Sequence, residues 1–107
     1  VVAINKGEWA AEARYEIAKC QFDLNSLTNA EKAAFEVISK SGSYDFWVTK
    51  SYILLGDIYF KQKDYFNSKA TFQSISENAT NPQLKKEAED KLKMVIEEEK
   101  KNSKIEG

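Results

Sequence analysis

Among its 107 residues the chain has no histidine and one cysteine. Without imidazole, the commonest general base and the commonest zinc or iron ligand are missing, and a single thiol excludes an intrachain disulfide. Proline occurs once, and the four glycines, at positions 7, 42, 56 and 107, make no phosphate-cradling loop. No apolar run approaches the ~20 residues that a bilayer span needs, and the stretch that comes nearest is Tyr52-Ile53-Leu54-Leu55. Neither charge sign dominates: 16 basic residues against 17 acidic give a net charge of -1, so no overall field favours nucleic acid or an anionic membrane. Glu97-Glu98-Glu99 runs into Lys100-Lys101, the pattern of a solvated helix face. No Ser, Lys and acid cluster has a spacing tied to a known mechanism. These absences predict a protein that is not an enzyme and carries neither cofactor nor metal.

With 42% hydrophobic and 31% charged residues, what remains describes one globular domain. The opening Val1-Val2 lacks both Met and the charged-then-apolar layout of a signal peptide, which predicts a piece of a longer protein. Asn78-Ala79-Thr80 matches a glycosylation acceptor, but three-residue matches arise often by chance.

Apolar spacing predicts five helices. In the first, Ala10, Ala13, Ile17, Cys20 and Leu24 form one stripe and Ala11, Tyr15, Ala18 and Phe22 a second, so both sides have neighbours. Cys20, within the first stripe, is expected to be a small buried hydrophobe. Thr28 with Glu31 forms a capping box for the second helix, whose Ala30, Ala33, Ala34 and Val37 allow close helix approach before Ser41-Gly42-Ser43 ends it. Asp45 is placed as the cap of the third. There Val48, Tyr52, Leu55 and Tyr59 make one stripe and Phe46, Ile53 and Phe60 another. Gly56, in mid-helix, costs about 1 kcal/mol relative to Ala and marks a close helix crossing. Asp64 caps the fourth helix, and Asn81 before Pro82 opens a fifth with the single stripe Leu84, Ala88, Leu92 and Val95.

Superposing the third helix on the first at an offset of 38 residues matches Trp9 with Trp47 and Phe22 with Phe60. Ala18 then falls on Gly56, Leu27 on Tyr65, Asn29 on Asn67 and Val37 on Ile75. Two copies of one antiparallel hairpin are therefore expected, at residues 8–41 and 45–79, stacked on each other and closed by a capping helix over 82–101. Residues 102–107 would be a tail, and residues 1–6 either the remnant of a preceding repeat or a disordered start. Trp9 and Trp47 open equivalent helices, where a large ring can staple the entering chain.

Leu55, Gly56, Tyr59, Tyr65, Ser68 and Phe72, with Pro82 beyond them, resemble the tetratricopeptide repeat in identity and spacing. The first copy supplies Ile17, Ala18, Gln21, Leu27, Ala30 and Ala34, departing at Gln21 from the family aromatic, and 38 residues exceed the usual 34 by about one turn. The resemblance covers roughly residues 8–81. It implies an all-α, right-handed solenoid. More weakly, Trp-Ala-Ala-Glu-Ala-Arg-Tyr and Tyr-Ile-Leu-Leu-Gly-Asp-Ile-Tyr are similar to multi-repeat proteins of bacterial cell envelopes, implying a periplasmic or outer-membrane-associated parent as one setting.

Arrays of this family bind a peptide or helix of a protein partner in a concave groove lined by the first helix of each repeat. The resemblance places Glu12, Tyr15, Lys19, Phe22 and Asp23 there from the first copy, and Lys50, Ile53, Asp57, Phe60 and Lys61 from the second. Tyr15 with Phe22, and Ile53 with Phe60, lie seven residues apart, giving an apolar strip edged by both charge signs. The same side chains equally suit packing against a neighbouring repeat or the fifth helix. One subclass grips the terminal carboxylate of heat-shock chaperones with Lys and Asn. Tyr15, Ile53, Lys19 and Asp57 occupy those places here, which disfavours that ligand. The alternative to a groove is a structural segment that stacks on preceding repeats or forms a homodimer through its exposed face, with no nucleic acid partner and no membrane insertion in either case.

Overall fold

The computed structural model describes residues 6–106, with side chains through residue 103. Five α-helices follow one another: α1 (Lys6–Asp23), α2 (Leu27–Lys40), α3 (Asp45–Lys61), α4 (Tyr65–Asn78) and α5 (Pro82–Glu106). No strand occurs among the described residues. Each helix packs on the next; α1 also touches α3 and α3 touches α5, whereas α2 and α4 do not meet. The odd-numbered helices thus form one row, with α2 and α4 behind it. The molecule measures 60 × 29 × 19 Å and its radius of gyration is 14.9 Å, against ~13 Å for a compact chain of about this length. It is elongated.

Both helix hairpins turn in the same way. Asn25 and Lys63 each have φ of 62°, the left-handed conformation that ends many helices. After α1, the Ser26 N–H donates to the Gln21 carbonyl at 2.8 Å; after α3, the Asp64 N–H donates to the Tyr59 carbonyl at 2.8 Å. Asp64 then caps α4 as its sequence predicts, accepting from the Asn67 N–H at 3.1 Å. Asn81 Oδ1 accepts from the N–H groups of Gln83 and Leu84, both at 3.0 Å, and Pro82 begins α5.

Three boundaries differ from expectation. The cap of α2 is Ser26 rather than Thr28, because the left-handed turn at Asn25 restarts the helix two residues earlier, and Ser26 instead accepts from Asn29 Nδ2 at 2.9 Å. Asp45 lies inside α3, whose cap is Tyr44; its carboxylate accepts from Thr80 Oγ1 at 3.2 Å. The fifth helix runs on through 102–106, where a tail is expected, since Asn102 Nδ2 donates to the Tyr65 hydroxyl at 2.6 Å and Lys69 pairs with Glu99 at 2.6 Å, extending the contact with α4. The expected remnant of a preceding repeat lies outside the described residues apart from Lys6, which begins α1.

Two apolar clusters hold the row together. One joins Tyr15, Ala18, Ala30, Ala34 and Val37 to Leu54, Leu55 and Ile58. The other joins Ile53, Phe72 and Ile75 to Leu84, Ala88 and Val95 of α5. α3 serves both, which is why it is apolar nearly all round. Gly56 is a close-contact glycine, as its position predicts: a Cβ there would lie 2.5 Å from Cε1 and Cζ of Phe72, and the Ser68 hydroxyl donates to the Gly56 carbonyl at 2.9 Å.

α1 departs from expectation in its burial. Its small residues Ala11 and Ala18 let α2 approach closely, so the Ala11, Tyr15, Ala18 side takes the core. The opposite stripe stays open, with Ile17 57% and Leu24 77% exposed. Cys20 on that stripe is exposed, not buried. Trp9 is 58% exposed, and the preceding hairpin that it is expected to meet lies outside the described residues. Trp47 does pack, tilted on Tyr15 at 5.6 Å and edge-on to Phe46 at 4.9 Å between ring centroids.

Candidate functional site

The ten positions assigned to the groove lie on α1 and α3, two adjacent helices of the row. They divide into core and surface. Tyr15 and Ile53 are buried, one in each cluster, and so do not form an open apolar strip. Ile53 shares its cluster with Leu84, Ala88 and Val95 of α5. Phe60 is half-buried and meets Tyr65 edge-on at 5.8 Å. The groove floor is therefore part of the core, because the odd-numbered helices are close enough to bury each other's inward side chains.

Asp57 is covered as well. Lys91 of α5 donates to both of its carboxylate oxygens, at 2.7 and 2.9 Å, and also approaches Glu87 at 3.5 Å. Burial pushes the Asp57 carboxyl above the ordinary carboxylate range, and the attraction and hydrogen bonds of Lys91 oppose that rise. Tyr15 is pushed up to about 12, mainly by burial and then by the negative charges of Glu87, Glu16, Asp57 and Asp23. Both shifts have structural causes in packing and charge.

The remaining six positions reach solvent. At the C-terminal ends of the two helices, the Phe22 ring has the Lys61 ammonium 5.2 Å and the Lys19 ammonium 5.5 Å from its centroid. Lys19 also pairs with Asp23 at 2.7 Å. Toward the other end, Lys50 lies over the rings of Tyr15, Phe46 and Trp47 at 5.0, 5.7 and 5.8 Å. Glu12 is exposed on α1. This surface offers a half-buried aromatic ring with both charge signs at its edge. Among the described residues, no group of three His, Cys, Asp or Glu can hold a metal ion, and no helix is long and apolar enough to cross a membrane.

Sequence reasoning missed the part played by α5, and the signal was present. Lys91 falls seven residues after Leu84 and four before Val95, so it interrupts the buried stripe of a helix otherwise expected only to cap. The ring of aromatics around Lys50 was less legible, since Tyr15 and Trp47 meet only across two helices. No protein-family model, curated protein or solved structure matches the chain.

Proposed function

We propose that this chain is a pair of tetratricopeptide-like hairpins closed by α5, and that the face of α1 and α3 binds a peptide or helix of a protein partner. The repeat reading is supported by the shared left-handed turns at Asn25 and Lys63 and by two 14-residue second helices that start at Leu27 and Tyr65. A right-handed solenoid is the arrangement it implies. The observation that carries the binding role is Phe22, on the accessible part of the face, with the ammonium groups of Lys19 and Lys61 at 5.5 and 5.2 Å from its ring centroid. An apolar side chain next to a carboxylate would complement it, burying against the ring and pairing with Lys61. No catalytic step or cofactor enters this reading.

Panning a random peptide display library tests it. Enriched peptides should carry an acidic residue beside an apolar one and should lose binding to a Phe22→Ala, Lys61→Glu variant whose helical circular dichroism is unchanged. Phe60 is unsuited to this test because it packs on the core. Enrichment indifferent to the variant would remove the groove.

The exposed Ile17 and Leu24 of α1 favour a second reading, a structural segment that stacks on further repeats or pairs with a second copy. Sedimentation decides this one. A dimer broken by Ile17→Lys would support it, and a monomer at every concentration would count against self-pairing.

A further inference from the structure

A cleft of about 530 Å³ lies between the N-terminal half of α3 and the C-terminal half of α4. Its volume is in the range of ligand sites. It is distinct from the α1 and α3 face above: Tyr52, which lines the cleft, precedes Lys61 by nine residues, two and a half helical turns, so the two point to opposite sides of α3. Val48 and Ile75 give it an apolar wall, Thr49 and Ser74 bring hydroxyls, and Asp45 is the only charged residue lining it among the described residues.

The first hairpin shows how the same space can be filled. Subtracting 38 from the cleft positions turns Tyr52 into Arg14, Ala79 into Ser41 and Asp45 into Gly7. There the Arg14 guanidinium crosses from α1 to the end of α2 and donates to the Ser41 hydroxyl at 2.9 Å. The Tyr44 ring lies against Gly7, where any Cβ would collide with its hydroxyl. In the second hairpin, Tyr52 and Ala79 cannot make that crossing. The arginine is missing, and a carboxylate stands where the first hairpin has glycine.

We propose that the α3–α4 cleft binds an arginine side chain presented by a peptide segment of a protein partner. Charge complementarity selects arginine, since among the described residues the lining supplies one carboxylate and no cation. Asp45 accepts from Thr80 at 3.2 Å, which uses one of the roughly four acceptor sites of a carboxylate and leaves room for a guanidinium fork. The Tyr52 ring offers a face for stacking, and the aliphatic stem lies along Val48 and Ile75. A planar guanidinium satisfies this geometry better than a lysine ammonium does. The volume exceeds one side chain, so flanking residues of the segment enter with it. The site stands independently of the α1 and α3 face, so failure of either leaves the other intact.

The test is a titration of the isotope-labelled chain with acetyl-Gly-Arg-Gly-amide, followed by amide chemical shifts, with the lysine and citrulline analogues in parallel. The expected result is saturable shifts at Thr49, Ser74 and Asn78 with the arginine peptide, and affinity lower by about tenfold or more for citrulline, which keeps the shape and loses the charge. Asp45→Asn should weaken the arginine peptide by a similar factor. Because that variant also alters the contact with Thr80, Ala70→Phe serves as a second probe: it fills the cleft from the exposed side of α4 and should abolish the shifts with helical content unchanged. Absence of saturation, equal affinity for arginine and citrulline, undiminished affinity in Asp45→Asn, saturable shifts remaining in Ala70→Phe, or shifts centred on Lys19, Phe22 and Lys61 would each overturn the proposal.

Discussion

The Lys91 ammonium of α5 lies 2.7 and 2.9 Å from the two carboxylate oxygens of Asp57 on α3. This pair ties the last helix to the middle of the row at a point where both side chains are about three-quarters shielded from water, at 29% and 26% exposure. The pH dependence of the pair follows from the raised carboxyl of Asp57. In the unfolded chain Asp57 loses its proton at the ordinary value; in the folded chain it does so only at higher pH. Between those values the folded state holds more protons, so this group's contribution to stability falls as pH rises.

Lys91→Met removes the two largest influences that oppose the rise, leaving the weaker attraction of Lys19, and leaves the carboxylate shielded without its paired cation. Urea unfolding at pH 7 should show a loss of about 1–3 kcal/mol relative to the natural chain. At pH 4, where Asp57 is more protonated, the loss should shrink. Equal losses at both pH values would mean that the pair is held by packing alone.

Gly56→Ala should destabilise the protein despite improving helix propensity. The new methyl meets Phe72, a ring that is almost fully buried and has nowhere to move. Overpacking of this kind costs about 1–3 kcal/mol, against about 1 kcal/mol gained from replacing a helical glycine. A net loss near 1 kcal/mol should appear as a lower Tm, and Phe72→Leu in the same chain should cost less than the sum of the two single changes.

Lys63→Gly should have the opposite effect. A lysine at φ 62° bears the steric cost of the left-handed region, which glycine avoids. A gain of about 0.5–1 kcal/mol in urea unfolding is expected, and Asn25→Gly should gain less because asparagine tolerates that conformation better. If Lys63→Gly lost stability, contacts of the lysine stem would outweigh the backbone term.

Tyr15→Phe should change the alkaline limb of the stability curve. The phenol of the unfolded chain ionises near 10, whereas in the fold Tyr15 is pushed up to about 12. Between these values the folded state holds more protons and stability falls with rising pH. Unfolding measured at pH 9 and pH 11 should show a smaller decline for the phenylalanine variant, with the remainder including Tyr59, whose hydroxyl is also raised by burial. An unchanged decline would assign the alkaline sensitivity elsewhere.

Much of the fold was legible in the sequence because its signals are local. Asp64 and Asn81 cap α4 and α5 through side-chain oxygens a few residues from the amides they accept from. Gly56 announced a close crossing, since a glycine retained in mid-helix needs a steric reason. The restart of α2 at Ser26 was less legible. Both Ser26 and Thr28 are competent caps, and the left-handed turn at Asn25 chose between them. The candidate face was legible only in part. Its helices and positions came from the family resemblance, but Tyr15 and Ile53 went into the core once α3 and α5 closed over them.

By itself the sequence determined the all-helical character of the described residues, the five helices among them, the stripe that α5 buries and the absence of histidine. These follow from periodicity, capping and composition, which act within a few residues. Only the tertiary structure decided which of the two apolar stripes of α1 faces inward, leaving Ile17, Cys20 and Leu24 at the surface. It also brought Lys91 onto Asp57 and left the space beside Tyr52 open while Arg14 crosses the first hairpin. A helix apolar on two sides has no local preference between them; the choice falls to whichever side lets its neighbours approach closest, and here that is the side of Ala11 and Ala18.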